Sequence, residues 1–182
     1  GGPQGVASPQ SIGGAEKMHD LIAGFVRTLL STIQRFAGLV VEPGHRLFCW
    51  AVRHAAYLQG HHQIGHNKVT SYRAIHGADC TDRLCQFGEK VMWRVADTSK
   101  QGKSALRWYH GIWVGIQEAS RTSVVLTPEG YETARSVSRL PPSAQWNKAF
   151  LLEVVGLPWD RREGRTQKLQ PIRSLPSAIP MP

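Results

Sequence analysis

Cysteine is scarce in this chain of 182 residues: Cys49, Cys80 and Cys85 are all there are, too few and too unevenly placed for a secreted disulfide framework. That usage fits a reducing compartment, nuclear or cytoplasmic. Long apolar runs are missing as well. No uninterrupted stretch is long enough to cross a bilayer, and no signal-peptide layout is visible. Acids are in short supply, with 13 Asp and Glu against 22 Lys and Arg, so the formal net charge is +9. An excess of that size predicts a polyanionic partner, nucleic acid ahead of an acidic protein or a membrane surface. A phosphate-cradling loop is absent too, since Gly13 and Gly14 lack a following lysine–serine pair. His19 and Ser31 stand in no arrangement suited to nucleophilic catalysis.

What is there is enough for a core. An apolar fraction of 41% predicts a globular chain, in one domain or two small ones. The chain opens on Gly1 rather than methionine, as a piece of something longer would. Residues 1–12, rich in Gly, Pro, Gln and Ser, read as loop or frayed terminus. Met18, Leu21, Ile22, Phe25, Leu29, Ile33 and Phe36 then recur at the spacing of one helical face, predicting a helix that runs to Ala37 and stops at Gly38. The Gly13–Gly14 pair is expected to turn the backbone into it, which puts Glu16 in the first turn. There it lies on the open face with Asp20, Arg27 and Gln34, and by spacing alone is a solvated acid.

Glu42-Pro43-Gly44 reads as a turn, followed by a second helix from His45 to Gln59 with Leu47, Trp50, Ala51, Ala55 and Leu58 on one face and Gly60 as its stop. His54 falls on the apolar side and reads as a hydrogen-bonded core histidine. The two helices are expected to pack antiparallel. His61 to Asp82 is irregular, with a helical turn around Ser71–Ile75. After it the period changes from helical to alternating: Val91, Trp93 and Val95 against Lys90, Met92 and Arg94. Leu106–Ile116, with Gly111 and Gly115 marking bulges or tight curvature, then Ser123–Thr127 and Tyr131–Val137 around Pro128-Glu129-Gly130, complete a set of short strands that predicts a small barrel. Ala149–Val155 reads as either a short helix or a strand. The basic, proline-rich tail is expected to be largely disordered when free.

Ser8-Pro9-Gln10-Ser11-Ile12-Gly13-Gly14-Ala15-Glu16-Lys17 resembles the pattern of proline, glutamine, serine or glutamine, asparagine, glycine, two small residues, glutamate and a basic residue found in integrases of copia-type retrotransposons. Ile12 stands where that family has asparagine. The likeness continues in order through Arg27-Thr28-Leu29, the Trp50–Leu58 helix, Thr70-Ser71-Tyr72, His76-Gly77 and Phe87-Gly88. The resemblance implies an α+β chain: the terminal helices of an RNase H-like core over residues 13–80, incomplete, an SH3-like antiparallel barrel over 85–140 that binds DNA with little sequence preference, and a tail over 141–182. It also implies that Glu16 is the third acid of an Asp-Asp-Glu triad, hence both catalytic and a metal ligand, with Mg²⁺ as cofactor in a complete core. It raises association with further integrase chains as a homo-oligomer.

Phosphodiester transfer by two Mg²⁺ ions needs several carboxylates. No acid precedes Glu16 in this chain, and Asp20 and Glu42 do not match the family's aspartate positions, so the chain alone is expected to be inactive. His62, His66, Cys80 and Cys85 are ligand types that zinc accepts, yet the wide cysteine spacing, and Cys85 leading straight into a strand, argue against zinc. The cations Lys90, Arg94, Lys100, Lys103, Arg107, Arg121, Arg135 and Arg139, with Arg161 and Arg162 of the tail, are the candidates for phosphate contact. Arg135 and Arg139, four apart on one extended segment, are expected to face the same side. Trp93, Trp108, Tyr109 and Trp113, interleaved with them, are assigned mainly to the barrel core. A standalone chromatin- or RNA-binding module, and a decayed element without function, are the alternatives.

Overall fold

Pro9 opens a helix of 29 residues, α1 (Pro9–Ala37). The computed structural model describes residues 9–95, 107–160 and 169–172, without the side chains of residues 9–12 and 95. Proline fits the first helical turn, where its missing N–H would have had no partner. The backbone passes through Gly13 and Gly14 in helical conformation, so residues 9–12 are helix rather than loop and Glu16 lies roughly two turns in, not in the first turn. Nothing crowds either glycine, and each costs the helix only about 1 kcal/mol relative to alanine. The helix ends as its pattern predicts, with the Gly38 N–H on the Gln34 carbonyl at 3.0 Å.

Helix α2 (Arg46–His61) is capped by His45, whose Nδ1 accepts from the Leu47 N–H at 3.2 Å. It runs on through Gly60 to His61, because the His62 N–H still reaches the Leu58 carbonyl at 2.9 Å. Thr70 caps the short α3 (Ser71–His76) by accepting from the Arg73 N–H.

Four antiparallel strands follow, β1 (Lys90–Val95), β2 (Tyr109–Gln117), β3 (Thr122–Thr127) and β4 (Gly130–Arg139). Each pairs with the next, and β1 closes on β4 to make a barrel. Thr127 pairs with Gly130, leaving Pro128 and Glu129 as the turn. The register slips between Trp113 and Gly115 and again between Arg94 and Val95, the two bulges that let so few strands curl shut.

The alternation of β2 and β3 feeds two separate cores. Trp113 and Val125 point into the barrel with Val91, Trp93, Tyr109 and Ala134. Ile112, Val114, Val124 and Leu126 point out, and are covered by Val26 and Ile33 of α1 and by Leu47, Trp50, Ala51 and Ala55 of α2. Gly88 sits where the helices meet the barrel at φ +88°, and a Cβ there would stand 2.7 Å from the Ile33 side chain.

Part of the tail belongs to this second core. Helix α4 (Lys148–Glu153) resolves the choice left open for Ala149–Val155, and Val155 then bridges to Thr127. Leu151 and Val154 are fully buried. The Trp50 indole N–H donates to the Gly156 carbonyl at 3.0 Å, and Arg46 donates to the Val154 carbonyl. Ile172 bonds through its N–H to Trp108, and Leu169 packs on the barrel interior. Residues 141–160 thus pack against the body through apolar Leu151 and Val154, ahead of the basic, proline-rich stretch on which the expectation of disorder rests. The expectations for residues 1–8, 96–106, 161–168 and 173–182 lie outside the described residues.

Candidate nucleic-acid interface

Six of the cations singled out in the sequence lie among the described residues, and the barrel gives them unequal roles. Arg139 pairs with Glu89, Nε on Oε1 at 2.7 Å and Nη2 on Oε2 at 3.0 Å. Glu89 is fully buried and also accepts from the Gln86 N–H at 2.9 Å, so Arg139 neutralises an internal carboxylate. Its register explains why: Arg139 lies opposite Val91, on the side of the pleat that carries Val91 and Trp93, and Glu89 is two residues before Val91 on the same side. Bonding to Glu89 raises the Arg139 pKa further.

Arg121 is committed in a similar way. It stands in the turn between β2 and β3 at φ +54°. Its Nε and Nη2 donate to Asp82 Oδ1 at 3.0 and 2.6 Å, and Nη1 donates to the Tyr72 hydroxyl. Asp82, itself nearly buried, also accepts from the Tyr57 hydroxyl at 2.7 Å and the Cys80 thiol at 3.4 Å. Burial opposes ionisation of Asp82, but the hydrogen bonds from Tyr57, Arg121 and Cys80 and the Arg121 charge outweigh it and hold the carboxyl below its ordinary value. Burial, with the bonds to Cys80 and Asp82, pushes Tyr57 up. Arg121 thus ties the barrel to α2 and α3.

Lys90 and Arg94 are half-buried. Lys90 Nζ sits 4.7 Å from the centre of the Phe150 ring, and burial lowers its pKa. The Arg94 guanidinium lies 5.0 Å over Trp108 and donates to Ser136 Oγ at 3.1 Å. Arg107 and Arg135 are exposed, and among the described residues neither enters an ion pair. Arg135 is the extra residue of the β4 bulge, between Ala134 opposite Val95 and Ser136 opposite Arg94. That insertion shifts the alternation by one, so Arg135 and Arg139 do not share a face. Lys100, Lys103, Arg161 and Arg162 lie outside the described residues.

Glu16 is exposed on α1, one turn from the exposed Asp20. Among the described residues no group of three or more His, Cys, Asp or Glu side chains converges as a metal centre. Glu16 alone does not fit a two-metal site. Cys80 belongs to the Asp82 network, and Cys85 packs beside the barrel core, where burial first and the Glu89 charge second raise its thiol to about 11. Among the described residues no helix is long and apolar enough to cross a membrane.

His54 is buried as its position on α2 predicts, and among the described residues no hydrogen-bond partner reaches its Nδ1. Aromatic contacts hold the ring instead: Tyr57 and Phe87 stack on it with centroids 5.8 Å away, and Trp113 meets it edge-on at 5.1 Å. Gly115, at φ +138°, leaves room for the imidazole, since a Cβ there would lie 3.2 Å from Nδ1.

Glu89, Asp82 and Tyr57 are the polar residues that sequence reasoning missed. Glu89 had a legible signal, its place in the alternation that ends in Val91 and Trp93. Asp82 had none, because its partners lie 25 and 39 residues away along the chain. Comparison with known protein families, curated proteins and solved structures found no match.

Proposed function

We propose that the chain is the C-terminal part of a copia-type integrase, with α1 and α2 as terminal helices of an RNase H-like core and the closed four-stranded barrel in the role of an SH3-like DNA-binding module. Its function on this reading is to hold nucleic acid with little sequence preference, and to supply Glu16 as one of three acids to a core completed elsewhere. The net charge of +9 is the observation that carries it. The order of elements supports it too: a long amphipathic helix with an outward glutamate, a second helix packed on it, then a small barrel. Alone, the chain performs no strand transfer, because one carboxylate at the family's position cannot hold two metal ions.

Arg107 and Arg135 are the barrel cations that remain available to phosphate among the described residues. Titrating the chain with duplex DNA of two unrelated sequences tests the reading. Equal affinities, each falling with salt at about −0.9 per phosphate contacted in log K against log[salt], are expected. Affinity that depends on sequence but not on salt would contradict it.

A further inference from the structure

The outward face of the C-terminal half of α1 carries a second, different surface. Gly24, Arg27, Thr28, Ser31, Thr32, Arg35 and Phe36 line one open groove there. The groove contains two guanidinium groups and no carboxylate. Gly24 is its notch: the Arg27 guanidinium lies 3.9 Å from where a Cβ would be. Thr28 and Thr32 donate their hydroxyl hydrogens to the Gly24 and Thr28 carbonyls at 3.1 and 2.9 Å. Arg27, Ser31 and Arg35 are left as outward donors, spread over about 12 Å of helix.

At the end of this row stands an aromatic step. Phe36 is 53% exposed, an uncommon state for a phenylalanine. Trp146 holds it by stacking, with centroids 5.5 Å apart and planes 21° from parallel, and the Arg35 guanidinium lies 5.3 Å from the Phe36 centroid. A row of cations leading to a supported, exposed ring joined to a guanidinium plane is the combination that takes single-stranded nucleic acid, phosphates on the cations and a base on the stack. A duplex offers no unstacked base to such a step.

We infer that Arg27, Ser31, Arg35 and the Phe36–Trp146 stack form a binding surface for single-stranded nucleic acid, separate from the barrel. It stands on the groove and the stack, and does not require the integrase reading. The test is fluorescence anisotropy of the whole chain with a labelled oligothymidylate of about 12 nucleotides. Arg27→Gln with Arg35→Gln is expected to weaken binding roughly tenfold and to make the salt slope shallower by about 1.4, two phosphates at about 0.7 each. Phe36→Leu, which keeps the apolar packing, is expected to weaken it roughly fivefold or more by removing the stacking ring. A control of equal charge change, Lys68→Gln with Arg83→Gln at exposed positions that do not line the groove, is expected to stay within about twofold.

Tryptophan emission of the wild type should fall on binding, and Trp146→Phe should abolish most of that change while retaining the stack. Unaltered oligothymidylate affinity in both the double variant and Phe36→Leu overturns the inference, as does equal competition by anionic lipid vesicles at matched phosphate. Arg107 and Arg135 take no part here. Loss of duplex binding on their reversal, with oligothymidylate binding intact, therefore bears on the barrel alone.

Discussion

His54 shows what burial does to a titratable side chain. Burial first, and the nearby His62 second, lower its pKa from 6.5 to about 4. Between those values the unfolded chain binds a proton that the folded chain refuses, so stability rises with pH across that window. The contribution is complete above the unfolded value and is lost as pH falls towards 4, a change on the order of 3 kcal/mol. The urea midpoint of the wild type should climb over this range, and His54→Leu should flatten the climb. A midpoint that falls with pH would contradict the burial. Arg139 makes the complementary case at the same scale. Arg139→Met leaves the Glu89 carboxylate buried without its partner, and should cost about 3 kcal/mol in urea unfolding. A cost near zero, with weakened DNA binding instead, would return Arg139 to the phosphate-binding set.

Among the elements, the strands were the most legible. Alternation at Lys90–Val95 and the Pro128–Glu129 turn locate β1 and the β3–β4 hairpin to within a few residues, because a half-buried strand writes its period into the sequence. The start of α1 was not legible, since two adjacent glycines read as a turn wherever backbone freedom is counted without the rest of the helix. Replacing both Gly13 and Gly14 by alanine separates these views. In a helix each change stabilises by up to about 1 kcal/mol, and circular dichroism should show more helix and a higher melting temperature. In a turn needing positive φ, the same changes would destabilise. The bulge at Arg135 was equally hidden: one extra residue reverses every later side-chain direction, and no residue type in Ala134–Ser136 announces it.

At the scale of the whole molecule, the charge excess was readable but its distribution was not. Arg121 and Arg139 look like their neighbours in the sequence, and only contacts 39 and 50 residues away turn them into partners of Asp82 and Glu89. Apolar packing of α1 and α2 on the outer face of β2 and β3, with Tyr57 of α2 reaching the barrel interior, joins helices and barrel, so the barrel is not a bead on a linker. Tail residues Leu151 and Val154 complete one of those cores, which composition alone hid behind prolines and charges.

The measurement that tests the central claim most directly is duplex affinity of the chain carrying Arg107→Glu and Arg135→Glu, followed across salt concentration beside the wild type. Weaker binding is expected, with a salt slope shallower by about 1.8 if each arginine meets one phosphate. Wild-type affinity and an unchanged slope in that variant would contradict nucleic-acid binding by the barrel.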